Sequence, residues 1–214
     1  MRFAHVFASA LIASGASAQE HAPPPPFTVN EAFPSKSLRS PPAQGATFGR
    51  LRVRFDETPL QSVTSAFGVG QIAHRGDAGA SMYWLCYTGQ QPQPFRVWLV
   101  SQGEMGGTDH RLTEIQVAAV PSASASAQCP GLPPKFQRAS LVGGLWVGST
   151  ARAWRAHLGP PSFENSAALQ YGYAGKVRLA PTGTTMSFDR LNELRLFVQG
   201  SSVTGIVATQ VTSN

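Results

Sequence analysis

The sequence predicts an α+β protein built of two tandem repeats, each a short helical segment packed on an antiparallel sheet of about three to four strands. Three observations lead there. Residues 58–68 align without a gap on residues 149–159, and each stretch ends in Gly. Strand-like runs follow both segments in the same order. A low-complexity stretch of Pro, Ser and Ala at 121–127, followed by Cys129-Pro130-Gly131, separates the halves. The division that follows is a signal peptide at 1–18, a Pro-rich disordered tail at 19–48, repeat one at 49–120, a connector at 121–140 and repeat two at 141–214.

Each aligned segment opens with hydroxyl residues suited to capping a helix, Thr58 in one and Ser149-Thr150 in the other. Pro59 fits a first helical position. Val63 and Phe67 correspond to Trp154 and Leu158, giving an apolar pair one helical turn apart. Gly68 and Gly159 tolerate the left-handed conformation that ends a helix. Two short helices are expected, each burying one face.

Downstream, residues 97–103 match 194–200, and 112–120 match 203–211. These β-branched and aromatic runs meet at Gly-containing turns, so each pair reads as an antiparallel hairpin. A further strand precedes each hairpin, at 82–88 and at 169–175. Neighbours on a strand point to opposite faces. Val97, Leu99, Leu194 and Leu196 should therefore face the helices, joined by Leu85 and Tyr87 and by the aromatic pair they match, Tyr171 and Tyr173. Trp84, Cys86, Arg96, Trp98, Arg195 and Phe197 fall on the opposite, open face. Arg52 and Arg54 alternate with Val53 and Phe55, as on an edge strand whose charges guard against sheet-to-sheet pairing.

The first 18 residues read as a secretory signal peptide. Arg2 supplies the positive start, residues 3–13 are mostly apolar, and Ala16-Ser17-Ala18 offers the small residues of a cleavage site. Gln19 follows in place of a lipid-accepting Cys. An exported chain meets an oxidising compartment, where Cys86 and Cys129 are expected to pair. The tail at 19–48 holds Pro23-Pro24-Pro25-Pro26 and reads as an extended spacer, since Pro has no amide donor and a fixed φ.

Composition narrows the function classes. Of 214 residues only 13% are charged, and the formal charge is +6 without any Lys/Arg run of the kind that grips nucleic acid. No apolar run after residue 18 approaches the roughly 20 residues that span a bilayer. His74 with Asp77, and Asp109 with His110, are the close His/acid neighbours, and both lie in polar loops. The Gly-Val-Gly at 68–70 follows a helix instead of a strand and lacks the rest of a dinucleotide fingerprint. No catalytic set, metal site or cofactor motif is read from the residues.

The second repeat carries Gly148-Ser149-Thr150, Trp154, Leu158-Gly159-Pro160-Pro161 and then Tyr171-Gly172-Tyr173. This order resembles the repeat of β-lactamase-inhibitor-protein-like modules and of SmpA/OmlA-like small outer-membrane lipoproteins. The resemblance implies a binding or assembly role. Two departures stand out: the lipid-anchored Cys of the lipoproteins is absent, and the single Cys pair reaches from repeat one into the connector instead of lying within each repeat.

The expected function is that of an exported, periplasmic or secreted, non-catalytic protein that binds an envelope or secreted protein partner, with an inhibitor-like role among the options. Trp84, Arg96, Trp98, Arg195 and Phe197 form its expected binding face, rich in the residue types of interface hot spots. The connector, pinned by Cys86–Cys129, is the expected internal cover for part of that face. The alternatives are a structural or assembly protein of the outer envelope and, last, a hydrolase using His74 and Asp77.

Overall fold

Alternating apolar and polar side chains make antiparallel strands the main regular structure, and the computed structural model describes residues 22–28, 37–103, 109–179 and 185–213. The expected signal peptide at 1–18 lies outside the described residues. In the first half the chain forms β1 (Gly45–Phe48), β2 (Leu51–Arg54), α1 (Leu60–Phe67), β3 (Ala73–Arg75), β4 (Met82–Gly89), β5 (Phe95–Gln102) and β6 (Glu114–Ala119). After the connector come β7 (Ala139–Ser140), α2 (Ala151–Leu158), β8 (Phe163–Glu164), β9 (Ala168–Leu179), β10 (Met186–Gln199) and β11 (Ser202–Ser213).

The two helices form much as their residues dictate. In α1, Leu60, Val63 and Phe67 are buried, and Gly68 ends the helix at φ 72°. Thr58 does not cap it: its hydroxyl accepts the Arg54 amide at 2.9 Å, and Pro59 stands in extended conformation just before the first turn. In α2 the cap is the expected one, with Thr150 Oγ1 accepting the Ala153 amide at 3.2 Å. Trp154 is fully buried beneath it.

The expected two-repeat α+β arrangement is not what forms. The strands join one eight-stranded antiparallel sheet in the order β3-β4-β5-β6-β11-β10-β9-β8, with a separate three-stranded sheet β2-β1-β7. The fold is mostly β, with two helices of eight residues each among the described residues. The seam is the pairing of β6 with β11, from Gly205 opposite Ala118 to Thr209 opposite Glu114. Two separate four-stranded sheets would each leave that edge unpaired and ready to associate with another chain. A unit of about 70 residues also buries too little surface to be comfortable alone. Fusion of the halves answers both problems.

One continuous apolar core fills the space between the large sheet, the helices and the small sheet. Leu85, Tyr87, Val97, Leu99, Ile115, Val117, Leu169, Tyr171, Leu194, Leu196 and Ile206 pack there against Val63, Phe67, Phe48, Trp146 and Trp154. The inward positions read from alternation are buried there except Tyr173, which is half-buried and stands outside this core. The small sheet draws β1 from the end of the Pro-rich tail and β7 from the connector, so neither stretch is merely a spacer. Arg52 and Arg54 are exposed on β2, the edge of that sheet, while Val53 is buried.

Candidate functional site

The pleat sets the opposite face of the large sheet. Register places Cys86, Trp98, Gln116, Val207, Arg195 and Gln170 in one row across β4, β5, β6, β11, β10 and β9. The neighbouring row is Trp84, Val100, Glu114, Thr209 and Glu193. All five residues expected to bind a partner lie on this face. Trp84, Arg96 and Trp98 cluster toward β4 and β5, while Arg195 and Phe197 lie on β10.

The face is not open. Trp84 and Trp98 are each 3% exposed. Their main cover is the Pro-rich stretch at 22–28, and the connector adds Cys129 at the edge of the cluster. Trp98 Nε1 donates to the Pro23 carbonyl at 2.9 Å, and Trp84 Nε1 reaches the carbonyls of Pro23 at 3.0 Å and Ala22 at 3.2 Å. Further along, Gln116 clamps one residue from both sides: its Oε1 accepts the Phe27 amide at 2.9 Å, and its Nε2 donates to the Phe27 carbonyl at 2.8 Å. The Phe27 ring stacks on Phe197. Gly205 makes room for it, since a Cβ there would stand 2.8 Å from the Phe27 ring.

The connector runs along the rim instead. Cys86 and Cys129 sit at disulfide-bonding distance with Cα atoms 4.7 Å apart. Next to them the Thr88 amide donates to Pro130, and Leu132 donates back to Thr88, extending the edge of β4 where β3 has ended. A small second core results from Ala22, Ala73, Trp84, Cys86, Trp98, Val100 and Cys129. The Arg96 guanidinium lies 5.9 Å from the Trp98 ring centre, within cation–π range.

Two buried carboxylates share this face. Burial pushes the Glu114 carboxyl up to about 7, against the hydrogen bonds it accepts from Gln116 at 2.7 Å and Gln102 at 3.1 Å, and the nearby Glu193 charge adds to the rise. Glu193 is likewise raised by burial, opposed by Arg195 at 3.1 Å and by the Gln170 amide at 2.8 Å. Thr209 stands opposite both carboxylates in register. The amides and the guanidinium hold the two acids in place. Gln116 therefore links the acids to the Phe27 main chain.

The His/acid pairs fall elsewhere. His74 stacks on Tyr83 at 4.3 Å, and Tyr83 stacks in turn on His110 at 3.6 Å. Asp77 is an exposed loop residue whose carbonyl accepts the Ala80 amide, and Asp109 pairs with Arg111 at 3.3 Å. Among the described residues no three His, Cys, Asp or Glu side chains are grouped to hold a metal ion, and no helix is long and apolar enough to cross a membrane.

Sequence reasoning missed Glu114, Gln116, Glu193 and Phe27. For the first three the signal was present: Glu114 and Gln116 alternate with the inward Ile115 and Val117, as Glu193 does with Leu194. Phe27 carried none, because composition marks a Pro-rich stretch as extended without saying where it lies. No family model, characterised protein or solved structure matches the chain. The resemblance to inhibitor-like modules rests on the motif residues alone.

Proposed function

We propose that the chain is an exported, non-catalytic binding protein whose recognition surface is the outer face of the eight-stranded sheet. One observation carries the reading. An extended segment is already seated on that face, gripped through its main-chain atoms by Trp84, Trp98 and Gln116. Core packing buries side chains against side chains. Indole and amide donors aimed at a neighbour's carbonyls are the hardware of peptide recognition.

The rim offers more surface. Arg195, Phe197 and Gln170 line an open cavity of about 320 Å³ with Phe163, which is 51% exposed. Aromatic and Arg side chains of this kind dominate binding energy at interfaces. A photo-crosslinking residue in place of Phe163 tests the proposal in the native envelope. A discrete protein adduct is expected, and it is lost when Phe197→Ala or Arg195→Ala is added while circular dichroism shows the variant still folded. Absence of any adduct, or one that survives both changes, sinks the reading.

A further inference from the structure

Resting on that reading, we infer that the partner presents a proline-rich segment ending in an aromatic residue, and that residues 22–28 are a built-in occupant which such a segment displaces. The chemistry of the groove is the first argument. Two indole donors converge on the one carbonyl of Pro23, and neither needs a donor from the ligand in return. A proline supplies a carbonyl and no N–H, so it satisfies this pair without leaving a group unmade. Gln116 makes the opposite demand. It takes both the N–H and the C=O of residue 27, which excludes proline there and ends the run. Phe197 and the space beside Gly205 then select a flat ring.

Spacing is the second argument. Consecutive prolines are confined to the polyproline II conformation, which advances about 3.1 Å per residue and about 9.3 Å per three-residue turn. Between residue 22 at Trp84 on β4 and residue 27 over Gly205 on β11 lie three spacings, about 14 Å, against about 15 Å for five polyproline steps. Ala22 is buried, Pro23, Pro25 and Phe27 are half-buried, and Pro24 and Pro26 are exposed, so alternate residues of the extended segment turn toward the face.

Exchange is the third. Every hydrogen bond that the structure gives residues 22–28 is with a side chain of the face. Lifting the segment breaks no ladder of the sheet. Because it is tethered, it competes with an outside ligand at high effective concentration, and the apparent affinity for that ligand falls by the fraction of molecules left open. Weakening the tethered copy should therefore strengthen binding of a free one.

The probe is a fluorescent peptide with the sequence of residues 21–28, titrated by anisotropy into the full mature chain. Phe27→Ala is expected to bind it at least tenfold more tightly than the unaltered protein. Adding Trp98→Phe, which keeps a ring and removes the donor, should cost about fivefold, the ordinary contribution of one hydrogen bond. Replacing the four prolines of the peptide with alanine should cost at least tenfold. Should Phe27→Ala fail to fold, Phe27→Leu takes its place under the same criteria. Equal binding of the alanine peptide, or no gain in the loosened variant, overturns the inference. So does a concentration-dependent dimer of the unaltered chain that the peptide cannot dissociate, which would make a second copy the occupant. If the peptide fails while the Phe163 adduct persists, the proline-rich ligand is wrong and the binding face stands. If both fail, both readings go.

Discussion

Phe27 lies flat against Phe197, ring centroids 4.5 Å apart and planes 13° from parallel, although the two come from opposite ends of the described chain. The stack fixes the far end of the proline segment, as the two indoles fix its start. Phe197 gains burial only because the segment crosses four strands to reach it. Between the two anchors, the Gln116 amide is the one side chain that reads the segment's backbone in both directions.

Removing the ring at position 27 should therefore loosen the whole segment while sparing the sheet. A stacked aromatic pair contributes about 0.5–1.5 kcal/mol beyond its burial, so Phe27→Ala should cost roughly 1–2 kcal/mol in urea denaturation. Limited proteolysis with mass mapping should show new cleavage within 22–28 and unchanged protection of β4 to β6. Uniform loss of protection would mean that the segment is a structural strap and not a separable one.

Trp98→Phe isolates the indole donor. The ring remains to pack on Val100 and Cys86, while the Pro23 carbonyl keeps only Trp84 as a donor. A net cost of about 1 kcal/mol is expected, the ordinary contribution of one hydrogen bond. Hydrogen exchange at Phe27, followed by NMR, should rise several-fold, because the segment's start is held less firmly. An unchanged rate would show that the two ends of the segment are independent.

The positions of these residues were legible in the sequence to an uneven degree. Strand alternation alone put Trp84, Arg96, Trp98, Arg195 and Phe197 on one face, since a pleat leaves no other choice. The hairpins β5–β6 and β10–β11 followed from their turns. What alternation could not give was the seam. Whether β6 pairs with β11 depends on satisfying an edge, a long-range matter that no local pattern in residues 114–119 encodes. The cover failed for a related reason. Four prolines fix their own backbone and so identify an extended segment, but its place on the molecule is decided by Trp84, Trp98 and Gln116, far away in the chain. The resemblance between the two halves suggested two packed units, and burial of a single core overrode it.

Cys86 and Cys129 close a loop of 43 residues in sequence separation. In the chain-entropy picture such a link stabilises by about 2–4 kcal/mol. Cys129→Ser should lower stability by that order, measured by denaturation without reductant. Its second effect is local. Cys86 packs beside Trp84 and Trp98, so their fluorescence should shift toward that of exposed indole ahead of global unfolding. A variant as stable as the parent would mean that the pair is not bonded in the folded protein.

Asp56 ties the helical side of the large sheet to the loop after β2. Its Oδ2 accepts from Gln210 Nε2 and from Thr212 Oγ1, each at 2.7 Å, and Gln210 accepts in turn from Asn192 at 3.3 Å. Asn192 is fully buried. The backbone at Asp56 adopts φ 60°, which Asp and Asn tolerate better than other side chains. Asp56→Ala should cost about 2–4 kcal/mol, because it leaves buried donors unmade and strains the turn. Asp56→Asn should recover part of that loss. If alanine were tolerated as well as asparagine, the network would carry no stability.

The buried acids give the face a pH dependence whose sign is fixed. Glu114 ordinarily ionises near 4.5 and is pushed up to about 7 in the folded chain, and Glu193 shifts in the same direction. Between those values the folded chain holds a proton that the unfolded chain has released. Stability is therefore greatest below the lower value and falls as pH rises toward the upper one, by at most about 1.4 kcal/mol per pH unit for each such group. Gln116 serves both partners at once, one hydrogen of its amide going to Glu114 and the other to the Phe27 carbonyl. Denaturation at roughly pH 5 and roughly pH 8 should show the higher stability at the acid end. Glu114→Gln keeps the shape and removes the proton, so it should flatten most of the slope while leaving the Glu193 share. A variant that retains the full slope would place its origin elsewhere in the molecule.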